Sequence, residues 1–314
     1  MSDRARAFEL IRRFGRETVA FQGLESGYRY FFDGEDAVVP FVDTGSSWVA
    51  AGSPVAPPDR VIAVAREFSE AALAQRRRAC FFASERTLGG PALQIGEQPV
   101  WTCAHWTEVL RSSPSLRYQL RRASHKGVVV RPLRPDEHTQ LDALVRSWQS
   151  IHRMPPMQFL VQLEPFAFAH ERVNYVAERD GQLVGLASAV PVYARDRLFV
   201  EDLVRASNAP NGTVELMVDA MMRGTSRELT LGLAPLAGNV ALWLRFARWA
   251  GAPFYDFDGL RRFKTKLRPH AWEPVYLATA AGGSRVAALR DSLRAFAGGS
   301  LVGFAARTLF RQRQ

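Results

Sequence analysis

The sequence predicts an α/β fold (α+β in its segregation) made of two similar halves, and three observations lead there. Short runs rich in β-branched and aromatic residues alternate with longer amphipathic stretches. The order strand, strand, strand, helix, strand in the first half recurs in the second, although no repeat shows at the level of letters. The length of 314 residues suits two units of about 150. Mixed central sheets flanked by helices are the layer arrangement that such an order produces.

In chain order, Phe8 to Phe21 reads as a short helix. Tyr28–Phe32 and Ala37–Val42 read as strands around the turn signal Asp33-Gly34, and Ser47–Ala51 as a third strand. The Pro-rich loop after it opens a helix, with Asp59 as the expected N-cap, that runs to about Arg78. Strand material follows at Cys80–Ala83, Leu93–Ile95 and Pro99–Trp101. Helices are expected at Trp106–Val109 and Ser115–Lys126, the latter closed by Gly127. Val128 starts a new strand. Asp136–Ile151 is an amphipathic helix, and Val173–Glu178 with Leu183–Val192 forms a hairpin around Asp180-Gly181. A strand at Arg197–Val204, a helix capped by Thr213, a strand at Leu229–Leu233 and a helix within Gly238–Gly251 complete the second half. The expected units are residues 1–127, 128–280 and a basic tail, 281–314.

Composition is that of a globular protein, 47% hydrophobic and 23% charged. The first residues are charged throughout, and no apolar run approaches the roughly 20 residues that span a bilayer, so neither a signal segment nor a membrane span is expected. Cys80 and Cys103 are far apart and read as reduced, buried thiols of a cytosolic protein. No Cys/His cluster appears, so no metal site is expected. The net charge of +10 is segregated: Arg111 to Arg134 holds seven Lys/Arg and no acid, and Ala281 to Gln314 holds six Arg and one Asp. Two concentrated basic zones point to a polyanion or an anionic surface as partner.

The densest stretch is Tyr255–Tyr276. It carries Asp256, Asp258, Arg261, Arg262, Lys264, Lys266 and Arg268 with five aromatics, and two of the three lysines of an Arg-dominated chain sit there two residues apart. If the stretch were a strand, Arg262, Lys264 and Lys266 would share one face. A solvated basic turn before a core strand fits the same letters.

The second half resembles the C-terminal catalytic domain of the phosphatidylglycerol lysyltransferases, the DUF2156 family. The matching words are Glu201-Asp202-Leu203, Ala209-Pro210-Asn211-Gly212-Thr213, Leu231-Gly232-Leu233-Ala234-Pro235-Leu236, Asp258-Gly259-Leu260-Arg261-Arg262-Phe263-Lys264-x-Lys266 and Trp272-Glu273-Pro274-x-Tyr276. The first half is similar through Tyr30-Phe31-Phe32, Ala51-Gly52-Ser53-Pro54-Val55 and Leu120-Arg121-Arg122-Ala123. Leu267 departs from the pattern, which usually has an aromatic there. The resemblance implies two acyltransferase-like domains of the GNAT type in tandem. It also implies transfer of an aminoacyl group from charged tRNA to a hydroxyl acceptor, a lipid such as phosphatidylglycerol. No cofactor is expected, because an aminoacyl ester is already activated.

Such a transfer needs the ester held against a nucleophile, a carboxylate to orient amine and hydroxyl, and positive charge near the developing oxyanion. Asp202 at a strand end either binds an α-amino group, acts as base, or is a surface acid beside Arg205. Glu215 either complements a helix dipole or points into the cleft. Asn211 and Gly212 either admit a ligand close to the backbone or form a plain loop. Lys264 and Lys266 are the candidates for phosphate or carbonyl contact, with Arg261 and Arg262 as alternatives. Asp258 pairs structurally with Arg261. Arg117, Arg121, Arg122 and Lys126 suit a tRNA acceptor stem or form a solvated face. Arg290, Arg294, Arg307 and Arg311 flank the uncharged run Ala295–Ala306, which suits an anionic leaflet, a partner or disorder. The expected location is the cytoplasm, peripheral to the inner face of the membrane. A CoA-dependent acyltransferase and a non-catalytic membrane- or RNA-binding module are the competing classes. The pyrophosphate loop usual for the former is not visible before Thr213.

Overall fold

The computed structural model describes residues 1–151, 159–160, 163–245, 256–280 and 282–299. Helix α1 (Asp3–Phe14) is capped by the Ser2 hydroxyl and buries Ala7, Leu10 and Ile11. It ends at Phe14, and Phe21 belongs to a separate 3₁₀ turn. Strands β1 (Arg29–Asp33) and β2 (Ala37–Asp43) form the expected hairpin, with Gly34 at φ +64°. β3 (Ser47–Ala51) leads through the Pro-rich loop into α2 (Val61–Ala74), which returns to β4 (Arg78–Ser84) parallel to β3. Asp59 is not the cap: Arg60 holds that position without a side-chain capping bond and instead pairs with Asp33 at 2.8 Å and with Asp36. β5 (Ala92–Trp101), α3 (Cys103–Ser112) and α4 (Pro114–His125) follow, with Gly127 at φ +80° beyond them.

The second half opens with β6 (Val129–Pro132) and α5 (His138–Ile151). β7 (Val173–Arg179) and β8 (Gln182–Val192) meet at Asp180 and Gly181, both at positive φ (53° and 74°) as a two-residue hairpin turn of right-handed strands requires. β9 (Arg197–Arg205), α6 (Thr213–Arg223) and β10 (Glu228–Thr230) repeat the crossover of the first half, β10 lying parallel to β9. The same order of antiparallel strands followed by a parallel helical crossover thus occurs twice. Thr213 is the first residue of α6; Gly212 stands at its N-cap. β11 (Ala234–Pro235) adds a short pairing to β5. Then come α7 (Phe257–Lys266), β12 (Ala271–Ala278) and α8 (Arg285–Phe296).

One sheet runs through both halves in the order β1-β2-β3-β4-β12-β5-β10-β9-β8-β7-β6. The late strand β12 therefore sits between two early strands, antiparallel to each. Trp101, Trp106, Met217 and Leu267 belong to one buried cluster, which joins the helices of both halves under the sheet. Ionic contacts also cross the seam. Arg195 bridges Glu85 (2.6 Å) and Glu273 (3.1 Å), and Arg197 bridges Glu273 (2.7 Å) and Glu228 (2.8 Å). Hydrogen bonds from Arg197, whose charge also acts on it, hold the Glu273 carboxyl down to about 2 against its burial.

Val275 on β12 is 2% exposed. Val275→Asp should cost about 3 kcal/mol or more, because it buries an unpaired charge. Calorimetry of the variant should show both halves losing stability in one transition. A half that melts unchanged would refute the shared sheet as the unit of stability.

Candidate active site

The stretch around the paired lysines is a helix, α7, and not a strand. Asp256 caps it by accepting from the Gly259 N–H at 2.6 Å. Residues two apart on a helix point about 200° away from each other, so Lys264 and Lys266 diverge. Lys264 is 3% exposed and donates to three successive carbonyls, Leu231, Gly232 and Leu233, each at 2.8 Å. Those are all the donors an ammonium has. Burial, with Arg261 nearby, pushes it down to about 7, while the carbonyls favour its charge. Gly232 holds φ +66°, and a Cβ there would lie 2.5 Å from the Phe199 ring, so only glycine lets the chain turn its carbonyls toward Lys264. Lys264 thus works as a clamp between α7 and the segment after β10.

Lys266 takes the other side. Its Nζ is 2.6 Å from Oε1 of Glu215, a buried acid in the first turn of α6. The structure therefore brings Glu215 and Lys266 together and sends Lys264 elsewhere. Arg261 pairs with Glu97 at 2.5 Å and lies over the Trp272 ring, 3.3 Å from its centroid. Arg262 and Asp256 stand 3.9 Å apart at the surface, and Asp258 is exposed in the first turn of α7.

Asp202 lies in a different cluster. β9 carries a bulge opposite Ser188 and Ala189: Ser188 pairs with Asp202, Ala189 with Val200, and Glu201 is the extra residue. The bulge brings Glu201 onto Arg172, and these two side chains are 3% and 2% exposed. Arg172 also donates to Ser188 Oγ (3.3 Å) and the Ala167 carbonyl (2.6 Å). Oδ2 of Asp202 is buried without a hydrogen-bond partner among the described residues, as are both carboxylate oxygens of Glu25, a residue 5% exposed in the loop after α1. Burial, then repulsion from Glu201, drives Asp202 well above the usual carboxylate range. Burial, then Glu201, Asp202 and Glu164, pushes Glu25 up to about 9. Glu25, Glu201 and Asp202 thus gather around one guanidinium, an excess of carboxylate that a cationic ligand would balance.

The loop before α6 is occupied by protein. Gly212 sits at φ +97°, and a Cβ on it would come within 2.3 Å of the Gln119 carbonyl of α4. The close approach expected at Asn211-Gly212 is therefore helix packing, with Asn211 accepting from Arg205 at 3.5 Å. On α4, Arg117 turns back to the Leu110 carbonyl (2.6 Å) and caps α3. Arg121 and Lys126 are exposed and Arg122 half-buried, and no acid pairs with them among the described residues. Helix α8 docks on the sheet. Asp291, 1% exposed, takes a fork of two 2.7 Å bonds from Arg78, and Arg294 donates to Ser46 Oγ at 3.0 Å. Ala295 and Ala297 are buried and Phe296 packs on the core, so the start of the uncharged run is committed inward. Arg290 is exposed, and Arg307 and Arg311 lie outside the described residues. Cys80 is buried, its thiol pushed up to about 12 by burial; Cys103 is half-buried rather than buried. No helix among the described residues is long and apolar enough to cross a membrane.

The profile of the family described as phosphatidylglycerol lysyltransferase, C-terminal, matches residues 8–279. The chain belongs to this family. A phosphatidylglycerol lysyltransferase of Bacillus subtilis is 30% identical over 118 residues, 34% of this chain and 14% of the relative. A lysylphosphatidylglycerol biosynthesis bifunctional protein of Mycolicibacterium gilvum is 27% identical over 221 residues, 61% of this chain and 19% of the relative. The matched segments thus span less than a fifth of either relative. Two solved structures share the fold over nearly their full length. The C-terminal domain of a putative lysylphosphatidylglycerol synthetase from Agrobacterium fabrum has a TM-score of 0.80 at 23% identity, covering 95% of this chain and 98% of that one. L-PGS from Bacillus licheniformis has 0.77 at 19%, covering 99% and 97%. Of the family words quoted from the sequence, Glu201-Asp202 falls in the acid cluster, while Lys266 forms an ion pair with Glu215, which lies just beyond the word ending at Thr213.

Glu25 and Arg172 were not expected from the sequence. Two adjacent acids in the otherwise apolar strand Leu198–Val204 are the one signal that pointed toward their cluster.

A carboxyl raised on folding stabilises below its unfolded value and loses that contribution as pH rises toward its folded value, here from about 4.5 to about 9. Glu25→Gln should therefore melt roughly 3 °C or more above the parent at pH 8. The gap should close toward pH 4.5 in thermal melts, and a gap independent of pH would refute the buried carboxyl.

Proposed function

We propose that this chain transfers an aminoacyl group from charged tRNA to a hydroxyl of a phospholipid headgroup such as phosphatidylglycerol, working at the cytoplasmic face of the membrane. The observation that carries this reading is the carboxylate excess of Glu25, Glu201 and Asp202 around a single arginine. An aminoacyl ester presents an ammonium beside its reactive carbonyl, and an ammonium is the counter-ion such a cluster lacks. The unpartnered Oδ2 of Asp202 then holds the amine, and with the amine bound the carboxyl loses its reason to stay protonated.

In the transfer, the acceptor hydroxyl oxygen bonds to the ester carbonyl carbon and gives up its proton to a base. The bond to the ribose oxygen breaks, and that oxygen takes a proton as it leaves. No ATP or metal is required, since the energy lies in the ester. Lys266 and Glu215 stay paired with one another, outside the acid cluster, and tie α6 to α7. Lys264 positions α7. Arg121, Arg122 and Lys126 contact acceptor-stem phosphates, with Arg117 holding α3 and α4 together. Arg290, with Arg307 and Arg311 beyond the described residues, faces the anionic leaflet.

Lipids extracted from cells that express the chain should contain a new aminoacylated species by mass spectrometry. Asp202→Asn should lower its formation by about 100-fold, with a melting temperature at or above the parent's near neutral pH. Absence of the lipid with charged tRNA supplied, or full activity in Asp202→Asn, would overturn the reading.

A further inference from the structure

A cavity lies at the end of β3 where the Pro-rich loop turns into α2, with Ala194 of the second half in its wall. Its volume is about 180 Å³. Three guanidinium side chains line it, Arg13 and Arg16 from the end of α1 and just beyond, and Arg86 from the turn after β4; Glu17 is the one lining acid. The Glu17 carboxylate is 5% exposed and already accepts from Ser53 N and Ser53 Oγ, both at 2.5 Å, and from Glu85 N at 3.1 Å. It builds the wall and leaves little acceptor capacity for the interior. Arg86 is 3.8 Å from it. Arg13 and Arg16 are exposed and pair with no acid among the described residues.

The wall is set firmly. Gly52 stands at φ +72°, and a Cβ there would fall 2.6 Å from Glu17 Oε2, so the loop rests directly on the carboxylate. Val61, the first residue of the 14-residue helix α2, also lines the cavity, and this helix has no side-chain cap. Its free N–H groups add partial positive charge on the same side as the arginines. Pockets for drug-sized ligands run to about 300–1,000 Å³, so this one suits a single small oxyanion group.

We propose that this cavity is an anion site that takes the phosphate of a small phosphate ester. The proposal stands apart from the transfer reaction, since none of its residues belongs to the acid cluster or the Glu215–Lys266 pair. Its ligand could be free in solution or the headgroup of a glycerophospholipid, and the two sources are separable. Isothermal titration of the full chain with inorganic phosphate and with glycerophosphoglycerol, at constant ionic strength, reads the free ligand. Flotation with phosphatidylglycerol and with phosphatidylcholine vesicles reads the headgroup.

Arg16→Gln changes an exposed side chain, and its melting temperature should stay at the parent's. Affinity for at least one phosphate probe should fall about tenfold in Arg16→Gln and further in Arg16→Gln/Arg86→Gln. Loss confined to phosphatidylglycerol vesicles assigns the site to the lipid headgroup, and loss in titration assigns it to a free ester. No saturable binding of any probe, or equal binding by parent and folded Arg16→Gln, overturns the proposal.

Discussion

A strand from late in the chain closes the sheet of its beginning, and that constraint governs the rest of the structure. β12 can lie between β4 and β5 only if the chain leaves the second half at one place and in one direction. The Lys264 clamp sets that place by tying α7 to the three carbonyls after β10. Leu267, fully buried, continues the anchor, its carbonyl accepting from the Trp101 indole at 2.8 Å. A buried ammonium is costly unless every proton is used. Here each has an acceptor, so the same group that would destabilise a loose fold specifies a tight one. Replacing the family's usual aromatic by Leu267 keeps that position inside the core.

Around this frame the two charged groups differ in kind. Glu215 and Lys266 neutralise one another, the acid buried and the lysine partly in solvent, where an ion pair contributes little to stability. The Asp202 cluster is buried, and burial keeps protons on its acids beyond the Glu201–Arg172 pair. Its members come from three places, the loop after α1, the segment before β7 and the bulge of β9, so its geometry exists only when both halves are assembled. Buried acids with strongly shifted protonation, held on a rigid scaffold, are a usual mark of a site kept for binding rather than for stability.

Much of this could be read from the letters, and the misses have physical causes. Asp180-Gly181 marked its hairpin because two adjacent positive-φ residues have few other uses. Gly127 and the amphipathic faces of α4 and α5 were legible for similar local reasons. The helix of α7 was missed although its letters keep a helical period: its charge density drew the reading toward a strand face or a basic turn, and its cap, Asp256, looked like one of several acids. Asp59 and Thr213 are good capping residues, yet neighbouring positions took those roles because Arg60 ties the β1–β2 turn and Gly212 alone fits against Gln119. Glu25 and Arg172 meet across nearly the whole first half of the sequence, and the place of β12 depends on pairing between strands far apart. No local pattern encodes either.

The exchange of β12 also bears on how the protein is made. Thr279 bonds to Pro91 across 188 positions of sequence, so the early strands stay incomplete until the late ones have been synthesised. While the chain is emerging from the ribosome, β4 is paired only with β3, and the edges of β4 and β5 that β12 will cover stay open. The nascent first half is thus a natural client for chaperones, and translation of the second half ends that exposure.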